Sequence, residues 1–97
     1  MKAFYSDYVR HCMRFYARHP HPKYRGDVDK ENWIACDNAL KGFSAEDREL
    51  ILSIYRDGET IPDNIRCLCA KHNLQPDAVW KLLDDVERKV AKRRGLR

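Results

Sequence analysis

The stretch NIRCLCAKHNLQPDAVWKLLDDVERKV, residues 64–90, limits the fold more than any other part of this chain. Val79, Leu82, Leu83, Val86 and Val90 recur at spacings of three and four, which is the period of one helix face. Ile65, Leu68, Cys69 and Leu74 repeat the pattern upstream. Between the two stripes lies HNLQP. Asn73 tolerates a left-handed turn, and Pro76 suits the first turn of a new helix. Two amphipathic helices joined by so short a break must lie side by side. No stretch elsewhere reads as a strand with comparable clarity. The expectation is an all-α fold of about five helices, ending in a helix-turn-helix.

The other helices follow from the same reading. Residues 3–18 carry Phe4, Tyr5, Tyr8, Val9, Cys12, Phe15 and Tyr16 at helical spacing, with Met13 widening the stripe. HPHPKYRGDVD, residues 19–29, interrupts them with two prolines and a glycine. Residues 30–41 predict a second helix, with Asp29 as its cap and Trp33, Ile34, Cys36, Asp37 and Leu40 marking its pattern. Gly42 closes it. Ser44 followed by Asp47 predicts a capped start for a third helix reaching about Asp57, with Leu50, Ile51, Ile54 and Tyr55 inward. Helix four opens around Pro62. Helix five runs from about Pro76 to Arg94, with Gln75 a mediocre cap.

At 97 residues the chain holds one small domain and is too short for two independent cores. Residues 1–42 read as helical support or a dimerisation region, and residues 43–97 as the helix-turn-helix region. No apolar run approaches the ~20 residues needed to span a bilayer, and no secretory signal is visible, so a cytoplasmic protein is expected. Net charge is only +4, but it is unevenly placed. Residues 1–30 hold seven Lys/Arg against three Asp/Glu, residues 44–88 hold six against ten, and residues 89–97 hold five against none. A basic end is a candidate phosphate contact, with a solubilising terminus as the competing reading.

Metal and enzyme chemistry find little footing. Cys12, Cys36, Cys67 and Cys69 form no regular framework, and the reading is of free thiols. Cys67, Cys69 and His72 are close in sequence but point apart on a helix; His19 and His21 flank a proline. A structural zinc site needs four converging ligands. His11, His72, Asp37 and Asp63 form no recognisable nucleophile–base set. Neither a cofactor nor a metal is implied.

A helix-turn-helix reads DNA by bracing one helix on the backbone and setting the next in the major groove. Gln75, Asp77, Trp80 and Lys81 stand at the start of helix five. Gln can pair with adenine, Asp can accept from cytosine, and Lys can reach guanine or phosphate. Lys89, Lys92, Arg93, Arg94 and Arg97 form the basic end. An ordinary surface is the competing reading throughout, and boundary packing is favoured for Trp80. Asp84 and Asp85 repel phosphate, so their exposure on the groove-facing side would count against DNA. Arg10, Arg14 and Arg18 share a face, read as solvated or as a second phosphate stripe.

These residues carry a resemblance. The stretch from FSAEDRELILSIYRDGETIP through DNIRCLCAKHNLQPDAVWKLLDDVERKVAKRRGL resembles region 4 of the sigma-70 family and related small phage regulators. LCAKHNL is similar to that family's Ile-Ala-x-x-Leu-Gly-Val turn, with Leu68, Cys69 and Leu74 at its first, second and last positions. Val79 matches the valine of the recognition helix, and Lys89 falls in its basic end. His72 and Asn73 replace the usual Leu-Gly, and the loop DGETIPD is longer than the common form. The N-terminal half is similar to small bacterial proteins of phage or mobile-element type. The resemblance implies double-stranded DNA binding and transcriptional regulation. It leaves room for a non-enzymatic interaction module that contacts RNA polymerase or another protein, and for a homodimer. At this length the expectation is a partial sigma-like role, without the −10 recognition domain of a full sigma factor.

Overall fold

Local chemistry sets where each helix begins and ends. The computed structural model describes residues 5–19, 26–58 and 60–95; Phe4, His21 and Arg97 lie outside them. Its helices are α1 (Ser6–Arg18), α2 (Asp27–Leu40), α3 (Ala45–Arg56), α4 (Ile61–His72) and α5 (Pro76–Arg93), and no strand occurs among the described residues. Ser44 Oγ accepts the Asp47 N–H at 3.1 Å, as its position predicts. Thr60 Oγ1 caps α4 in the same way, accepting the Asp63 N–H at 3.3 Å, with Pro62 in the first turn. The second helix starts earlier than its expected 30–41 span. Asp29 is not its cap but lies with Asp27 inside the first turn, where carboxylates suit the positive end of the helix dipole.

Most of the expected inward stripes are present. Val79, Leu83, Val86 and Val90 are buried along α5, and Ile51, Ile54 and Tyr55 along α3. Leu50, Leu68, Leu74 and Leu82 are only half-buried against this core. The α2 expectation needs correction. Asn32, Ala35, Cys36, Ala39 and Leu40 make its buried face, while Ile34 is 40 % exposed. Periodicity weighted toward large residues misplaced the face, because alanines line the side packed against α1 and α5. Tyr8 is likewise 40 % exposed, and Val9, Cys12 and Met13 fill the α1 interior. Cys12, Cys36 and Cys69 are buried free thiols. One core thus draws on all five helices, and the radius of gyration of 12.9 Å is that of a single domain of this length.

A carboxylate sits inside this core. Glu87 follows Val86 on α5 and is 4 % exposed. Tyr55 Oη of α3 donates to its Oε2 at 2.5 Å, and Arg10 Nε of α1 donates to the same oxygen at 2.9 Å. An isolated buried carboxylate costs several kcal/mol. Two donors, one of them charged, offset that cost and tie three helices to one atom. The Tyr55 phenol is pushed well above its ordinary range, by burial first and by Glu87 second.

On the arginine face of α1, Arg10 reaches Glu87, while Arg14 and the exposed Arg18 close the C-terminus of α3, where helix carbonyls lack partners. Arg18 Nε donates to the Arg56 carbonyl at 3.2 Å; Arg14 Nη1 and Arg18 Nη2 reach the Asp57 carbonyl at 3.2 and 3.3 Å. Asn64 of α4 takes the buried Ile54 carbonyl at 2.7 Å. Cations at this end also complement the helix dipole.

Two outcomes follow. Arg10→Ala removes the guanidinium from buried Glu87 and should cost near the lower end of ~3–5 kcal/mol, because the Arg10 side chain is 24 % exposed and water can take its place. Tyr55→Phe should cost about 1–3 kcal/mol. Urea unfolding of both variants checks this, and losses below about 0.5 kcal/mol in both would remove Glu87 from its central role. The second outcome concerns alkaline pH. Tyr16 Oη donates to Asp37 Oδ1 at 2.7 Å, and its phenol is raised by burial and then by Asp37. Folded phenols that hold their protons more tightly than unfolded ones contribute stability that is fully present below roughly pH 10 and lost as pH rises through the folded values. The urea midpoint should fall above roughly pH 10, less steeply in Tyr16→Phe. An unchanged slope in that variant would contradict this assignment.

Candidate nucleic-acid interface

The connection between α4 and α5 is three residues long. Asn73 adopts left-handed backbone, φ 55° and ψ 49°, at the C-cap of α4. The Leu74 N–H then hooks back to the Cys69 carbonyl at 3.0 Å. Gln75 is extended and Pro76 begins α5 without a side-chain cap. An asparagine takes the left-handed geometry at smaller cost than most residues. Asn73 therefore fills the turning role that glycine commonly has, and half-buried Leu74 anchors the turn on the core.

This turn leaves the start of α5 open to solvent. Gln75, Asp77, Ala78 and Lys81 are all exposed, as a reading role requires. Trp80 is half-buried and packs against the core, so boundary packing is its observed environment. Lys71, His72 and Asn73 are exposed just before the turn. They had no place among the candidates for DNA contact, although the basic last turn of α4, Lys71 and His72, is a signal that could have found them.

The basic end divides. Lys92 and Arg93 are exposed. Lys89 is exposed too, but its Nζ lies 4.5 Å from the centroid of the Phe43 ring. Arg94 faces inward, toward α2. Its Nε donates to Asn32 Oδ1 at 2.6 Å and its Nη1 to Glu31 Oε2 at 2.9 Å, while the Asn32 amide donates to Tyr8 Oη at 3.0 Å. With a side chain 21 % exposed and these acceptors in place, Arg94 is a strut between α5, α2 and α1.

Further along the solvent side of α5 the charge changes sign. Asp84 is exposed and Asp85 half-buried, and both pair with Arg88, the latter at 3.9 Å. At helical spacing, Asp77, Lys81, Asp84, Arg88 and Lys92 form one outer stripe. A duplex laid along its whole length would bring phosphate against Asp84 and Asp85. The portion suited to close groove contact is therefore the turn and the first two turns of α5, with exposed Lys92 and Arg93 set apart at the far end. Family models, curated proteins and solved structures give no match to this chain.

The division of the basic end has a direct check. Arg94→Ala breaks two charge-assisted hydrogen bonds and should cost about 1–3 kcal/mol, which lowers the thermal midpoint by several degrees in a domain of this size. Lys92→Ala should shift it by less than about 2 °C. Equal midpoints for the two variants would place Arg94 with the solvated charges.

Proposed function

We propose that this protein binds double-stranded DNA through α4, the turn at residues 73–75 and the first two turns of α5, and that it regulates transcription. The supporting observation is the turn itself. A left-handed Asn73 and an anchored Leu74 hold the opening of α5 outward, so Gln75, Asp77 and Lys81 stand free of the core. Gln75 and Lys81 supply base-edge contacts, and Asp77 an acceptor for a cytosine amino group. Lys71, Lys92 and Arg93 are the exposed cations that reach phosphate. Arg94 is left out of this set, and Asp84 and Asp85 mark where base reading ends, with Lys92 and Arg93 clamping the backbone beyond them. The resemblance to sigma region 4 agrees with this use of the two helices and suggests a phage or mobile-element setting. The mechanism is non-enzymatic and needs no cofactor.

Fluorescence anisotropy of labelled duplexes in a salt series tests this reading. Three cation–phosphate contacts, from Lys71, Lys92 and Arg93, correspond to a slope of log affinity against log salt of roughly −2.7. Gln75→Ala with Lys81→Ala should flatten the preference among duplex sequences, by ~1–3 kcal/mol for each base contact removed. Absence of binding at low salt overturns the proposal. Binding whose sequence preference survives the double substitution removes α5 as the reader.

A further inference from the structure

A groove opens between α3, the end of α4 and the turn. Its volume is about 590 Å³, within the ~300–1,000 Å³ range of ordinary ligand clefts. Leu50, Leu68 and Leu74 line it, and each is half-buried against the core. Glu46, Asp47 and Glu49 of α3 line it too, with Glu46 and Glu49 exposed, and exposed His72 is the one basic side chain in the lining. The groove thus joins an apolar floor to a row of carboxylates on one helix.

We infer that this groove docks an amphipathic helix of a second protein, one that presents leucine-sized side chains on one face and Lys or Arg beside them. Three features select that occupant. The apolar floor takes side chains spaced three and four apart, as in helix-in-groove recognition. The carboxylate edge complements a basic flank and penalises an acidic one. The described residues form no strand, so they offer no sheet edge for pairing with an extended peptide. The same carboxylates repel phosphate, which separates this surface from the DNA-facing start of α5. The inference rests on the groove alone and stands whether or not α5 reads DNA.

The experiment uses the full isotope-labelled chain and two synthetic helical peptides, a leucine–lysine amphipath and its leucine–glutamate counterpart. NMR titration should show the lysine peptide binding about tenfold more tightly or better. Its largest shifts should fall in residues 45–53 and 68–74, and its affinity should drop with salt. Glu46→Gln with Glu49→Gln, both at exposed positions, should reduce the preference to about threefold or less. Equal binding of the two peptides by the unaltered chain overturns the inference, as does binding of neither. Shifts centred on Lys81, Arg88 and Lys92 overturn it as well. Concentration-dependent shifts at the groove without peptide would assign it to a second copy of this chain instead.

Discussion

The bond set at Glu87 is the constraint on which the rest of the structure depends. Its carboxylate lies where α1, α3 and α5 meet, and it holds Tyr55 and Arg10 on one oxygen. Hydrophobic stripes alone let helices slide and rotate by small amounts at little cost, since apolar packing is non-directional. A buried carboxylate does not allow that freedom, because any movement that loses a donor leaves the charge exposed to a low-dielectric interior. The position of α5 is thereby set from its middle. Arg94 secures its far end against Glu31 and Asn32, and Leu74 secures its near end through the turn.

Once α5 is held in this way, charge is sorted by position. Arg10, Arg14, Arg18 and Arg94 all bond to acceptors within the fold, although in sequence they look like free cations. Lys71, Lys81, Lys92 and Arg93 are the exposed cations along α4 and α5 that remain available to a partner. The acids cluster on α3 beside the leucine-lined groove and on the middle of α5. Two surfaces of different character result. The turn and the start of α5 are the surface proposed to meet a duplex, whereas the α3 groove is the one proposed to dock a basic, apolar segment.

What was legible in the sequence follows from what periodicity measures. Large aliphatic residues at spacings of three and four located α5 and α3, and the Ser44 and Pro62 signals located two helix starts. Asn73 pointed to the turn. The same method failed on α2, where the packed face is built from Ala35 and Ala39 and the bulky Ile34 faces outward. It also passed over Glu87 and Asn64, since a polar residue within a stripe carries no periodic signal and its burial depends on donors far away in sequence. The arginine contacts were not legible for the same reason. Their partners are carbonyls and side chains on other helices, including Asp57 for Arg14 and Glu31 for Arg94, and only folding brings them together.

The central proposal is that the turn and the opening of α5 form a DNA-facing surface. The most direct measurement is NMR titration of the labelled full chain with a mixed-sequence duplex at low salt. The account predicts the largest shifts across residues 71–81, further shifts at Lys92 and Arg93, and little change in residues 45–53. Shifts centred on the acidic α3 segment, or none anywhere in the chain, would contradict it.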